Sequence, residues 1–220
     1  TDYDWIAAGG GGTALELYAE NPVTPVSPSA TGTNAFAIGS NSTSSGQESI
    51  ALGKSIASGT SSFAVAVNHT NVAYGASATS ALAIGKYSRA TANNGIAIGS
   101  AFARADGSQS VAIGRNVYAQ QNNSVALGNQ SLSDVRGKFA YSGNNFTSTG
   151  DSQYGLCVLR QQTANATART MLTVAYNAST SAANQIILPN NSAYAFSGTI
   201  VARQQAFHGT ACAAWKIEGL

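Results

Sequence analysis

Gln109-Ser110-Val111-Ala112-Ile113-Gly114 is answered 14 residues later by Asn123-Ser124-Val125-Ala126-Leu127-Gly128. Working outward from this pair, a five-residue unit of small-apolar-Ala-apolar-Gly is read seven times, and its period of about 14 residues marks a repeat architecture. The earlier copies are Ala35-Phe36-Ala37-Ile38-Gly39, Ser49-Ile50-Ala51-Leu52-Gly53, Ala64-Val65-Ala66-Val67-Asn68, Ala81-Leu82-Ala83-Ile84-Gly85 and Gly95-Ile96-Ala97-Ile98-Gly99. Their closing positions step by 14, 15, 17, 14, 15 and 14 residues. A smaller element such as Ile56-Ala57-Ser58-Gly59 runs between copies, so each repeat holds two short strands and two turns.

Within a unit the large apolar residues sit two apart, which places them on one face of a strand and the intervening Ala on the other. Ile38, Leu52, Val67, Ile84, Ile98, Ile113 and Leu127 are therefore expected to stack in one column as the repeat core. The closing residues Gly39, Gly53, Asn68, Gly85, Gly99, Gly114 and Gly128 are expected at sharp turns, where glycine supplies a positive φ and Asn tolerates it better than most residues. A rung this short cannot bury its own apolar edge, so successive rungs must stack as parallel strands. One coil would still have a thin core and an exposed Ala-rich face, which a three-fold assembly would cover.

Composition limits the alternatives. Among 220 residues 44% are hydrophobic and only 9% charged, unlike the charge-rich, apolar-poor composition of disordered chains. The net charge of +2 and the scattered basic residues point to neither nucleic acid nor an anionic membrane as partner. No apolar run reaches the length of a membrane helix, and the opening Thr1-Asp2-Tyr3-Asp4-Trp5 has no signal-peptide pattern, so no membrane insertion is expected. The missing initiator Met suits a processed or truncated piece. Cys157 and Cys212 lie far apart without metal-site spacing and read as buried free thiols.

The two quoted hexapeptides resemble the head repeats of YadA-like trimeric autotransporter adhesins, and the resemblance covers residues 35–132. It implies a left-handed parallel β-roll, trimerised about a common axis and used to bind host surfaces. The heptad stalk and membrane β-barrel anchor of that family have no counterpart in this piece. Further on, Asn184-Gln185-Ile186-Ile187-Leu188-Pro189-Asn190-Asn191-Ser192-Ala193-Tyr194-Ala195-Phe196 and Ala214-Trp215-Lys216-Ile217-Glu218-Gly219 resemble segments of bacteriophage tail-fibre proteins, cyanophage ones in particular.

The expected organisation is an all-β chain. Residues 1–34, with Gly9 to Gly12 and Pro22, Pro25 and Pro28, form an irregular connector; residues 35–132 form the roll of seven repeats; residues 133–220 form a small antiparallel β domain, expected to be incomplete. Its candidate strands are 155–160, 170–175, 185–188, 193–203 and 211–218, with Pro189-Asn190-Asn191 as the clearest turn.

The residues offer little chemistry. Gly53-Lys54-Ser55 ends like a phosphate-binding loop, but Glu48 stands where that loop needs glycine, and Gly9 to Gly12 lacks the strand and helix of a dinucleotide site. His69 and His208 have no partner ligands at metal spacing; no metal, cofactor or catalytic residue is expected. Cleavage of a polysaccharide would need two facing carboxylates, whereas Glu48 and Asp106 lie several rungs apart and Asp134 and Asp151 suit solvated turns. Tyr74, Tyr87, Phe102 and Tyr118 could stack on sugar rings as surface ligand contacts or, the stronger reading, cap the coil.

Together these features point to a non-enzymatic trimeric fibre of a phage tail, serving as rigid spacer and receptor-binding element. Its expected partners are two further copies of the chain, other virion tail or baseplate proteins, and a host cell-surface glycan or protein. Its expected place is the virion, after assembly in the host cytoplasm. The rival readings are a bacterial trimeric autotransporter adhesin fragment at the cell surface, a phage head fibre and a polysaccharide-cleaving tailspike.

Overall fold

Ile96, Ala97, Ile98 and Gly99 lie directly beside Val111, Ala112, Ile113 and Gly114, and these beside Val125, Ala126, Leu127 and Gly128, all in parallel register. The repeat thus stacks like on like. In the computed structural model, which describes residues 26–69, 71, 73–164, 167–174, 178–188, 192–204 and 211–220, two sheets run the length of this stack. The described residues form strands and turns without helix. Two compact units, Thr1–Gln185 and Ile186–Leu220, divide the chain.

The first unit is a parallel β-solenoid of about eight turns. Its wider, nine-stranded sheet takes Phe36–Ile38, Ile50–Leu52, Phe63–Val65, Leu82–Ile84, Ile96–Ser100, Val111–Arg115, Val125–Asn129 and Phe139–Ser142, closed by the antiparallel strand Tyr154–Leu156. The narrower, eight-stranded sheet takes two-residue strands from Ser29–Ala30 to Leu132–Ser133. Paired strands therefore extend beyond residues 35–132 at both ends. Lys138-Phe139-Ala140-Tyr141 continues the rhythm with aromatic residues in place of aliphatic ones.

The interior is not where the large residues are. Ala51, Ala64, Ala83, Ala97, Ala112, Ala126 and Ala140 are each fully buried, facing Ala57, Ala76, Ala90, Ala105 and Ala119 of the narrower sheet. Ile38, Leu52, Ile84, Ile98, Ile113 and Leu127 share a column as expected but lie on the outward face, half-buried, with Ile113 41% exposed. They are thus no core of the single chain, and the Ala-rich face expected to be exposed is the one enclosed. The reason is spatial: two sheets joined by such short turns lie close together, so the paired strands of the wider sheet send in only a methyl group each, and the branched side chains of Val67 and Val117 enter from the corner segments between strands. Serine shares this interior, and several of its hydroxyls donate to backbone carbonyls, Ser42 Oγ to Ile38 O at 2.6 Å and Ser88 Oγ to Ile84 O at 2.7 Å, whereas those of Ser62, Ser110 and Ser131 have no partner among the described residues.

Val67 is corrected further. Leu52 pairs with Val65 and Val65 with Ile84, so the third unit is Phe63-Ala64-Val65-Ala66, two residues earlier than its sequence suggests. Val67 points inward and is fully buried, its amide bonded to Ser55 Oγ at 3.1 Å. Ala66 holds the closing turn with φ 52°, and Asn68, also at positive φ (53°), belongs to the loop beyond. The other six expected turn residues all have positive φ. At Gly114 (φ 137°) an added Cβ would overlap the carbonyl oxygen of Gly128, so glycine is required there by both conformation and space.

Past the roll, Arg160 and Leu172 pair through mutual backbone bonds of 2.8 and 3.1 Å, while residues 185–188 form no strand. Pro189-Asn190-Asn191, Gly9 to Gly12 and His208 lie outside the described residues. The second unit contains the antiparallel pair Phe196–Arg203 and Cys212–Gly219. Residues opposite one another share a face, so Phe196, Gly198, Ile200, Ala202, Ala213, Trp215 and Ile217 make one wholly apolar side. Ser197, Thr199, Lys216 and Glu218 lie on the other, with Lys216 bridged to Glu218.

Candidate functional site

The two corners of the roll differ in what they permit. From the narrower sheet back to the wider one, each step spans the same eight residues, as from Ser44 to Leu52, Ala57 to Val65 and Ala105 to Ile113. From the wider sheet to the narrower one, the common span is six residues, as from Ile84 to Ala90 and Ile113 to Ala119. That second corner alone varies. It takes 5 residues between Leu52 and Ala57, 11 between Val65 and Ala76 and 7 between Ile98 and Ala105.

These insertions and the ordinary turn between them carry aromatic rings to one place. His69 and Tyr74 lie on the long loop, with ring centroids 4.3 Å apart. Tyr87 sits 5.7 Å from Tyr74 and 5.5 Å from His69. Phe102, on the seven-residue corner, stacks on Tyr87 at 5.2 Å and 21° and lies 6.2 Å from Tyr74. Lys86 Nζ lies 5.0 Å from the Tyr87 ring centre, a cation over a π face. The Asn71 backbone N–H donates to His69 Nδ1 at 2.8 Å, which leaves the imidazole proton on Nε2.

Tyr87 and Phe102 adopt φ of 60° and 71°, a left-handed conformation unusual for bulky residues that costs about 1–3 kcal/mol at each position. The ring stacking offsets part of this cost, about 0.5–1.5 kcal/mol per pair. Three of the four sequence candidates, Tyr74, Tyr87 and Phe102, thus converge, and Phe102 remains exposed at the surface. Sequence reasoning missed His69 as their fourth ring. The signal available was its place in the longest repeat.

Tyr118 stands apart from this cluster. It pairs with Arg104 on the outer face of the narrower sheet, and the Arg104 guanidinium covers its ring at 5.0 Å. Beside it, Asp106 accepts from Arg89 at 2.8 Å, from Arg104 at 3.0 Å and from Thr91 Oγ1 at 2.9 Å. Other carboxylates named by the sequence are also engaged: Glu48 accepts from Ser61 Oγ, and Asp134 pairs with Lys138. Asp151 receives the amides of Phe146, Thr147 and Ser148 at 2.7–2.8 Å, which hold its carboxyl down to about 2. Among the described residues no cluster of three or more His, Cys, Asp or Glu could hold a metal ion.

The thiols differ from their expected burial. Cys212 is exposed on the polar face of the hairpin, opposite Arg203, and Cys157 is half-buried, its thiol pushed up by that burial.

The family model of the YadA head domain repeat matches residues 30–55, 76–101 and 105–131. The chain therefore contains YadA head repeats, which imply a trimeric, adhesin-like β-structure. The unmatched intervals, 56–75 and 102–104, contain the long loop and Phe102. No curated protein and no solved structure matches the chain.

Proposed function

We propose that this chain is a segment of a trimeric fibre on a phage tail, acting as a rigid spacer and presenting a host-surface contact without catalysing a reaction. The observation that carries the reading is the outward face of the wider sheet. Two apolar columns run unbroken along it, Phe36, Ile50, Phe63, Leu82, Ile96, Val111, Val125 and Phe139 in one, and Ile38, Leu52, Val65, Ile84, Ile98, Ile113, Leu127 and Tyr141 in the other. At about 4.8 Å between strands the face runs about 34 Å from its first strand to its eighth, and its side chains are half-exposed in the single chain.

An apolar strip of this length on a chain with 9% charged residues calls for a partner surface. Three copies turned about a common axis bury it in every chain at once, in keeping with the trimeric habit of the YadA repeat. The narrower sheet, with Arg89, Arg104, Asp106 and Tyr118, then faces water. Rigidity follows from the continuous ladder, because each rung is bonded to both neighbours. Several such fibres on one particle would convert weak single contacts into firm attachment through effective concentration.

The phage setting rests on the resemblance of residues 184–196 and 214–219 to tail-fibre segments. The head repeats themselves favour a second reading, a bacterial surface adhesin, which a heptad stalk and membrane anchor in the full gene would support. Labelled trimer incubated with bacterial cells tests the receptor role: saturable binding is expected, and a trimer that binds none of a broad cell panel would reduce the segment to a spacer or head fibre.

A further inference from the structure

We infer that the aromatic corner formed by His69, Tyr74, Tyr87 and Phe102 is a subsite for an uncharged sugar ring of a surface polysaccharide. The inference rests on the surface-binding reading above and gives it a location and a ligand class.

Three observations converge. Both insertions of the roll fall on this edge, as does its one shortened step, five residues from Leu52 to Ala57, while the opposite edge keeps one span from rung to rung. In stacked repeats, insertions gather in loops on one face, which is often the face that meets a ligand. Second, left-handed non-glycine residues recur at the roll's turns, Glu48, Gln109 and Gln130 among them, but the two aromatic ones, Tyr87 and Phe102, both stand here, although Gly or Asn would close the same turns with less strain. Asn116 does so one rung further on, at φ 52°. The rings are retained against a conformational cost, which points to a use for the rings themselves.

Third, the chemistry suits a saccharide. A pyranose offers an apolar face of C–H groups and a rim of hydroxyls. The corner offers the Tyr87 and Phe102 stack, with Phe102 exposed, surrounded by the two phenol hydroxyls, the His69 Nε2–H and the Lys86 ammonium as hydrogen-bonding groups. There is no carboxylate among these residues, and Lys86 is their one formal charge. An uncharged hexose unit needs no more than this.

The test uses the native trimer in affinity electrophoresis through gels containing dextran, mannan, galactomannan, laminarin or purified lipopolysaccharide. Phe102→Asn and Tyr87→Asn serve as variants because Asn accepts positive φ, so the turns keep their shape. The expected result is retardation of the parent by at least one polysaccharide and a two- to tenfold weaker effect for each variant, in line with about 0.5–1.5 kcal/mol per ring contact. Melting temperature and trimer mass should stay at parental values. Two results overturn the inference: no retardation of the parent by any of the five, or variants retarded as strongly as the parent. Loss of the trimer in the Asn variants would also overturn it, assigning the corner to contacts between copies. A parent that is trimeric and binds cells while failing the gel test keeps the fibre reading and removes only the sugar subsite.

Discussion

Ala112→Leu is the substitution for which the enclosed alanine column makes its sharpest demand. Ala112 is fully buried, with Ala97 and Ala126 in register on either side, themselves fully buried. Neighbouring rungs are about 4.8 Å apart, so the added carbons cannot move along the column, and the narrower sheet closes the way across. Overpacking of this kind costs about 1–3 kcal/mol. For a chain of this length each kcal/mol lowers the melting temperature by about 2–4 °C, giving a fall of about 2–12 °C. Val111→Leu, one residue earlier on the outward face, adds a single methylene and is expected to cost less than about 1.5 kcal/mol. Thermal melts followed by far-ultraviolet circular dichroism compare the two. Melting of Ala112→Leu at or above the parental temperature would mean that the position has room, and would refute the alanine interior.

Other consequences concern assembly, turns and acid. Ile98→Asp places a carboxylate on the strip assigned to the trimer axis, where an unpaired charge costs several kcal/mol per copy; light scattering should show dissociated chains, and an intact trimer at neutral pH would contradict the assignment. Gly114→Ala forces a Cβ against the Gly128 carbonyl and should lower the melting temperature or abolish soluble expression, whereas Gly53→Ala, with nothing near its Cβ, should cost only its φ strain, roughly 1 kcal/mol. Asp151 has a carboxyl lowered from 3.8 to about 2 by the amides it accepts, so its contribution to the 146–151 turn is present above its ordinary value and lost as pH falls through about 2. Protection of the Phe146, Thr147 and Ser148 amides, taken as exchange relative to the intrinsic rate at the same pH, should therefore hold at pH 4 and fall near pH 2; equal protection at both would dissociate the turn from the carboxylate.

The stacking of rungs was legible from Val111, Ile113, Val125 and Leu127, because a period of two and a recurrence of 14 leave few other arrangements. Which face lies inside was not, since periodicity separates the faces without ranking them. The usual preference for large apolar residues inside then misleads. A subtler signal was present: one column varies among Phe, Ile, Leu and Val, while the other is Ala at 37, 51, 64, 83, 97, 112, 126 and 140. A position that tolerates no methylene is an enclosed one.

The third repeat was misread for a related reason. Phe63-Ala64-Val65 and Val65-Ala66-Val67 both alternate correctly, and only pairing with Leu52 and Ile84 separates them. Of the aromatic corner, Tyr74, Tyr87 and Phe102 were visible as turn aromatics, but their convergence depends on a long loop folding back over its neighbours. Distances of that kind are set by the corner's geometry rather than by spacing along the chain.

The central claim is that the half-exposed apolar strip is the axis of a trimer, and the most direct test is the solution mass of the purified chain by light scattering across a dilution series. The expected result is three chains per particle, persisting on dilution. A stable, soluble monomer with the strip exposed would contradict it.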